Sequence, residues 1–334
     1  AAEGMRPVAE IQFADYVFPA FDQLVNEAAK FRYRDGAGGR SAGGLTVRMP
    51  CGGVGHGALY HSQSPEALFT HIPGLKVIMP RGPVQAKGLL LAAIRSNDPC
   101  VIMEPKILYR AAVEQVPTAA YELPLGKAEI LKEGKDVTIV SYGQPLYKCM
   151  AALKAAEQDF GVSGELIDLR TIYPWDKESV FNSVRKTGRC VVVHEAMVNA
   201  GVGAEVAAAI QEDPETFVRL EAPVARIAGW SIPTPLVFEQ FNLPDVTSKC
   251  CLTLTLANVY ANGMPRDIRR YQEGVEFLRD FSMNGAVLKR SMSHSSRRGV
   301  DWLMGILLGE IIMSIFLVSF VERYIYYSPS ATRL

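Results

Sequence analysis

Short apolar or β-branched runs alternate with helical patterns through the first part of the chain, and this alternation constrains the fold more than any other feature. Strands separated by helices return to the same end of a sheet and run parallel, with the helices covering its faces. We therefore expect a parallel α/β sheet within residues 1–115. Its strand patterns lie at 8–12, 45–49, 75–79 and 100–104, and its helical patterns lie at 18–34, from 65 onward and at 83–96.

A second α/β pattern begins after a stretch rich in proline and small residues, and residues 116–126 predict a linker. A chain of 334 residues is too long for one average domain, so a second α/β domain is expected over 127–246. Its strand patterns lie at 137–141, 165–169, 190–194 and 218–221, and its helical patterns lie at 144–157, 176–187 and 203–211.

The character of the sequence changes after residue 246. From Cys250 to the end, ten basic residues stand against seven acidic ones, whereas the preceding part is acidic overall. Residues 302–321 contain a single charge, Glu310, so they are long and apolar enough to cross a bilayer, with marginally favourable insertion. We expect a helical tail over 247–334, whose apolar helix is a membrane span, a buried helix, or sequence that belongs to no folded protein.

Composition excludes several classes of function. Basic and acidic residues both number 35, so no net field attracts nucleic acid. The six cysteines include no CxxC pair, and Cys51, Cys100, Cys149 and Cys190 stand apart among apolar neighbours, which indicates buried thiols in a reducing compartment. We expect no targeting segment at the amino end of this sequence. Walker A, HExxH and GxSxG motifs are missing, which argues against phosphoryl transfer, zinc hydrolysis and serine-hydrolase chemistry.

Residues 53–58 fit the pattern GxGxxA directly after a strand, as a dinucleotide-binding loop does. That loop also needs an acidic residue about twenty positions further on, and here residues 74–77 read Gly-Leu-Lys-Val. No helix is predicted to begin at these glycines. We therefore expect no NAD or FAD site.

Polar residues near the predicted strand ends are the candidates for chemistry. His56 and His61 lie on the Gly-rich loop after the second strand, where open α/β sheets bind ligands, and imidazole exchanges protons near neutral pH. The alternative interpretation, which is the commoner one for a histidine in a loop, is that one or both only hydrogen-bond the loop. Near the first strand, the candidates for a crevice or for a capped helix start are Glu10, Gln12, Asp15 and Tyr16. The candidates for anion or partner contacts, or for solvated charges, are Arg81, Lys106 and Arg110.

Four segments carry a resemblance to a known family. They are Ala9-Glu-Ile-Gln-Phe-Ala-Asp-Tyr-Val-Phe-Pro-Ala-Phe-Asp-Gln, Gly55-His-Gly-Ala-Leu-Tyr-His-Ser-Gln-Ser-Pro-Glu-Ala, Glu104-Pro-Lys-Ile-Leu-Tyr-Arg and Asp168-Leu-Arg-Thr-Ile-Tyr-Pro-Trp-Asp. The chain resembles the β subunit of the branched-chain 2-oxo acid dehydrogenase decarboxylase component from its first residues to about Asp245. The third segment resembles the branched-chain member more than the pyruvate member.

The resemblance implies a transketolase-like pyrimidine-binding domain, incomplete at its amino end, followed by a transketolase carboxy-terminal domain. It implies an α2β2 tetramer that uses thiamine diphosphate in the mitochondrial matrix and transfers acyl groups to a lipoyl acyltransferase core. By position, Tyr16 would pack on the aminopyrimidine ring and His61 would be the active-site histidine. Potassium would bind mostly to backbone carbonyls. The residues implied for it are Gly43, Leu45, Thr46, Ala93, Ser96 and Asp98. The α subunit would supply the diphosphate and Mg²⁺ site.

Two departures from the family keep alternatives open. The family chain begins upstream of the first residue of this sequence, and that upstream part holds the glutamate that activates the cofactor. The carboxy end departs from the family after Asp245. We therefore weigh oxidative decarboxylation of branched-chain 2-oxo acids against two alternatives, a non-catalytic assembly subunit and a membrane-anchored derivative.

Overall fold

The computed structural model describes residues 1–35, 43–237 and 239–244, which contain two five-stranded sheets. The strands of the first sheet are β1 (Val8–Glu10), β2 (Thr46–Cys51), β3 (Lys76–Ile78), β4 (Cys100–Pro105) and β8 (Thr171–Tyr173). They lie in the order β1-β2-β4-β3-β8, and the first four are parallel. All six residues of β4 are buried, as expected for a central strand with both faces covered. The α/β fold predicted from the alternation is confirmed.

Short helices connect these strands. They are α1 (Phe18–Asp22), α2 (Ala29–Asp35), α3 (Ala58–His61), α4 (Glu66–Thr70), α5 (Pro83–Arg95) and α6 (Leu108–Ala111). A 3-10 turn, Ala14–Tyr16, follows β1, and a π-helical segment, Gln23–Ala28, joins α1 to α2. The helix predicted at 18–34 is therefore continuous but contains a π segment, which the sequence pattern did not reveal.

The second sheet follows the same plan. Its strands are β5 (Glu129–Lys132), β6 (Val137–Ser141), β7 (Gly164–Asp168), β9 (Cys190–Met197) and β10 (Ala225–Gly229), in the order β10-β9-β6-β7-β5. Its helices are α7 (Pro145–Phe160), α8 (Lys177–Thr187), α9 (Val202–Glu212), α10 (Pro214–Phe217) and α11 (Glu239–Asn242). Four of the strands are parallel, and β5 pairs antiparallel with β7 at the edge.

The strand predicted at 218–221 is wrong. Asp213 and Pro214 begin α10 directly before it, since the Asp213 carboxylate accepts a hydrogen bond from the Thr216 N–H at 2.9 Å and proline suits the first turn of a helix. The turn then continues into the predicted strand, because the Val218 N–H donates to the Pro214 carbonyl at 3.2 Å. Val218 is 73% exposed and lies in no strand. The fourth parallel strand of this sheet is β10, which pairs with β9.

The strand β8 lies in the second half of the sequence but pairs with β3 of the first sheet. The two sheets therefore share one apolar core, in which Met49, Val77, Val140 and Ile167 are all buried. The sequence pattern missed β8 and β5 because they are three and four residues long, too short to show a period. The domain boundaries at 1–115 and 127–246 stay predictions.

Asp176 caps α8 and also ties it to the chain before β5. Its carboxylate accepts hydrogen bonds from the Ser179 N–H (3.2 Å) and hydroxyl (2.9 Å) and from the Ala128 N–H (3.1 Å). We expect Asp176→Ala to lower the free energy of unfolding by about 2 kcal/mol, the upper end for a helix cap, in urea titrations. Glu178→Ala, an exposed change in the same first turn, should cost less than about 0.5 kcal/mol. Equal losses in the two variants would contradict the capping role.

Candidate active site

The candidate site lies where three neighbouring parallel strands of the first sheet end. The 3-10 turn with Tyr16 follows β1, the Gly-rich loop with His61 follows β2, and Lys106 directly follows β4. Because β1, β2 and β4 are adjacent and parallel, their carboxyl ends meet at one edge. This edge is where open α/β sheets bind ligands.

Tyr16 and His61, which the sequence analysis singled out, are neighbours at this edge. The Tyr16 hydroxyl lies 3.3 Å from His61 Nε2, and the two rings meet edge to face with centroids 5.9 Å apart. Phe13 packs edge-on against both rings, at 5.3 Å from His61 and 6.2 Å from Tyr16. Tyr16 is 50% exposed and His61 is also exposed. The structure thus presents a phenol and an imidazole together on an open surface.

A buried ion pair supports this surface from within. The Lys106 ammonium lies 3.3 Å from a carboxylate oxygen of Asp15 and 4.9 Å from the Phe13 ring centroid, and it donates a hydrogen bond to the His61 carbonyl. The other Asp15 oxygen accepts a hydrogen bond from the Gln63 N–H at 3.0 Å. Buried charges need such partners, so this network holds the backbone from the His61 carbonyl to the Gln63 N–H. The solvated-charge interpretation of Lys106 is therefore wrong.

Two glutamates that the sequence did not predict as candidates are Glu66 on α4 and Glu195 on β9. Burial raises the pKa of Glu66 to about 8, and nearby Glu195 adds to this effect, while a hydrogen bond from the Tyr142 hydroxyl (3.1 Å) opposes it. Burial also raises the pKa of Glu195 to about 7, against the hydrogen bond that it accepts from the Gly53 N–H. The only local sign of Glu195 is an acidic residue after the apolar run of β9. Both side chains can therefore hold a proton near neutral pH.

Other predicted candidates make contacts elsewhere. Glu10 is exposed and pairs with Arg48 at 2.8 Å. Arg81 lies 3.4 Å from both the buried Asp168 carboxylate and Glu129, so it is an internal ion-pair partner and not a solvated charge. His56 Nδ1 lies 3.0 Å from the Leu236 carbonyl oxygen. The side chains of Gln12 and Arg110 are exposed.

The residues implied for potassium come together at the opposite end of the first sheet. The Cys100 N–H donates to the Leu45 carbonyl at 2.9 Å, which places the start of β2 beside the turn between α5 and β4. Thr46 is fully buried, and its hydroxyl has no hydrogen-bond partner among the described residues. The Arg6 guanidinium donates to the carbonyls of Ile94 (2.9 Å) and Ser96 (2.7 Å). The carbonyls of Leu45 and Ser96, two of the residues implied for potassium, therefore already accept hydrogen bonds, whereas the buried Thr46 hydroxyl accepts none within the described residues.

The described cysteines Cys51, Cys100, Cys149 and Cys190 are buried free thiols, as predicted. The expectation that no helix begins at the glycines of the GxGxxA pattern is wrong, since α3 begins at Ala58 after Gly57. That helix is a single turn, Ala58–His61. It ends where Lys106 binds the His61 carbonyl and Asp15 binds the Gln63 N–H.

Within the described part of the chain, no helix has the length and apolar character that a membrane crossing needs. The apolar helix predicted at 302–321, and the tail 247–334 around it, lie outside the described residues.

Comparisons with known proteins agree with this fold. Family models described as the transketolase pyrimidine binding domain and the transketolase C-terminal domain match residues 1–112 and 126–247. A solved structure titled "Split gene transketolase, inactive beta4 tetramer" has a TM-score of 0.62 over 78% of each chain at 23% identity, a likeness of fold alone.

Two curated relatives of higher sequence identity identify the family more closely. The mitochondrial 2-oxoisovalerate dehydrogenase subunit beta of Chaetomium thermophilum is 92% identical over 318 residues, which are 95% of this chain and 68% of that protein. The protein of the same name from Dictyostelium discoideum is 58% identical over 245 residues, 73% of this chain and 65% of that one. This chain thus spans about two thirds of the length of these relatives. The first match extends well into residues 247–334, so most of the atypical tail is shared with that relative.

The fold and the matching family models define a two-sheet α/β protein of the transketolase type. The chain belongs to the family of 2-oxoisovalerate dehydrogenase beta subunits. The family resemblance stated in the sequence analysis is therefore confirmed, and so is the mitochondrial location, which both relatives carry in their names.

Proposed function

We propose that the chain is the beta subunit of a thiamine diphosphate-dependent dehydrogenase that oxidatively decarboxylates branched-chain 2-oxo acids and transfers the acyl group to lipoyl-lysine. The observation that carries the proposal is the exposed Tyr16–His61 pair at the carboxyl ends of adjacent parallel strands, in a chain of this family. Decarboxylation and acyl transfer both need a group that holds and releases protons near neutral pH. An imidazole and a phenol can each donate or accept a proton, and here they lie together on an exposed surface.

The residues present fit the pyrimidine part of thiamine diphosphate. Tyr16 offers a half-exposed aromatic ring on which a flat heterocycle can stack, and Phe13 backs it edge-on. When bound, the cofactor supplies a nucleophilic carbon and an electron sink for decarboxylation of 2-oxo acids. The role that we assign to His61 is to hold or deliver a proton at the substrate's former carbonyl oxygen.

The diphosphate and Mg²⁺ belong, in this proposal, to an alpha subunit in an α2β2 assembly. The described residues include no group of three or more His, Cys, Asp and Glu side chains that could hold a metal ion. A lipoyl acyltransferase core would accept the acyl group. The exposed positions of Tyr16 and His61 support a site completed by a partner chain.

Potassium would bind among the carbonyls of Gly43, Leu45, Thr46, Ala93, Ser96 and Asp98. The buried Thr46 hydroxyl, which has no hydrogen-bond partner in the described part of the chain, supports this assignment because a buried oxygen needs a donor or a cation. The Asp98 carboxylate lies 2.9 Å from Lys76 and also pairs with Arg32, so its backbone oxygen is the better ligand.

The test is the release of CO₂ by a complex of the alpha partner with this chain joined to the upstream segment of its family, because that segment would hold the cofactor-activating glutamate. We expect kcat/KM for 3-methyl-2-oxobutanoate to exceed that for pyruvate by about tenfold or more, since extra methyl groups in an apolar pocket contribute discrimination of that order. A complex that assembles but releases no CO₂ from either acid, or that prefers pyruvate, would contradict the proposed function.

A further inference from the structure

The Gly-rich loop that matches GxGxxA binds an internal carboxylate. Glu239 accepts hydrogen bonds from the backbone N–H groups of Val54 (2.6 Å), Gly55 (2.7 Å) and Gly57 (2.8 Å), and from the Ser62 hydroxyl (2.7 Å). Its side chain is fully buried although it lies 177 to 185 residues away along the chain. Successive N–H groups of a glycine loop form a concave anion site, and here the anion belongs to the protein itself.

The glycines are needed because the carboxylate sits so close to the loop. A Cβ at Gly53 would lie 2.8 Å from Glu239 Oε1, and a Cβ at Gly57 would lie 2.1 Å from the Ser62 hydroxyl oxygen. Gly55 has a φ of +116°, which side chains rarely tolerate. The motif therefore has the geometry of a phosphate loop, but the place of the phosphate is filled.

The same carboxylate touches both ends of the segment that carries His61. Its three N–H partners precede α3, and its fourth partner, Ser62, directly follows His61. Burial alone would raise the pKa of Glu239, but the hydrogen bonds from Ser62 and the three N–H groups outweigh it and hold that pKa below its usual value. The carboxylate is thus charged, and four donors keep it in place.

We propose that Glu239 is a positioning residue that holds residues 53–62 in one conformation and thereby sets the position of His61. This inference rests on the proposed function only for its effect on catalysis. That Glu239 occupies the anion site of the loop follows from its hydrogen bonds alone. Glu239 itself lies behind the loop, buried, and touches the segment on either side of the imidazole rather than the imidazole.

The first test measures amide hydrogen exchange in the assembled complex. Glu239→Gln puts an amide where four donors point, so exchange of the amides of Val54, Gly55 and Gly57 should accelerate by about tenfold or more. Amides of β6, in the core of the second sheet, should keep their wild-type rates. Glu212→Gln, an exposed change on α9, is the matched control and should leave both sets unchanged. Unchanged loop exchange in Glu239→Gln, or faster exchange throughout, would overturn the proposal.

The second test separates positioning from general stability. Glu239→Ala should lower kcat about tenfold or more with little change in KM, and added acetate should restore part of kcat by entering the vacated anion site. Ser62→Ala, which removes a single donor, should give a smaller loss of kcat and serves if Glu239→Ala does not fold. The positioning role would be overturned if acetate raised kcat equally in wild type and in Glu239→Ala. It would also be overturned if a variant with faster loop exchange kept the wild-type kcat. A wild-type complex without decarboxylation would refute the proposed function instead, while the exchange test would still report on the loop.

Discussion

With this chain restored to the full length of its family and assembled with its partner, His61→Ala is expected to lower turnover, or acyl transfer to the lipoyl group, by about a hundredfold or more, because general acid–base catalysis contributes about that much. Cofactor affinity should change little, since Tyr16 and Phe13 still provide the aromatic surface. Steady-state kinetics of CO₂ release and lipoyl acylation, with calorimetric titration of thiamine diphosphate, measure the two effects.

His56→Ala is the matched control, because it removes a second exposed imidazole from the same loop. Its Nδ1 contacts the Leu236 carbonyl and not Tyr16, so the loss of turnover should be much smaller. The assignment of His61 fails if His61→Ala behaves like wild type or if His56→Ala is the more damaging change.

Glu66→Gln is expected to stabilise the protein increasingly as the pH rises. The pKa of Glu66 is about 8 in the folded chain, against an ordinary value of 4.5, mainly because the side chain is fully buried. Between these two values the unfolded state has lost the proton that the folded state keeps, so wild-type stability falls with rising pH across this window. Each pKa unit corresponds to about 1.4 kcal/mol, which makes the total an effect of several kcal/mol at most.

Urea denaturation at pH 5 and pH 9 measures this effect. Glu66→Gln should resemble wild type at the lower pH and exceed it at the higher one, because glutamine cannot ionise. Glu205→Gln is the matched control, since Glu205 also lies in the first turn of a helix but is exposed, and it should keep the wild-type slope. A wild-type slope in Glu66→Gln would show that this carboxyl does not retain its proton on folding.

Much of the fold could be predicted because the spacing of apolar residues within a short segment shows which face of a helix or strand is buried. The strand at 137–141 and the helix that begins after Asp176 lie where the pattern places them. Prediction failed where an element was too short for a period, as with β8, or where a local cap competed, as with α10 at Asp213. Tyr16 and His61 were found through family motifs, whereas Glu66 and Glu195 were missed because an acidic residue beside an apolar run carries no sign of its partners.

The sequence by itself determined the α/β alternation, the family and the two side chains that meet at the strand ends. Only the tertiary structure decided that Lys106 pairs with Asp15 inside the protein and that Glu239 fills the glycine loop. The physical reason is the distance along the sequence over which each interaction acts. Backbone periodicity and turn chemistry act within a few residues, whereas a carboxylate 177 residues away reaches Ser62 only after the two halves of the chain have packed.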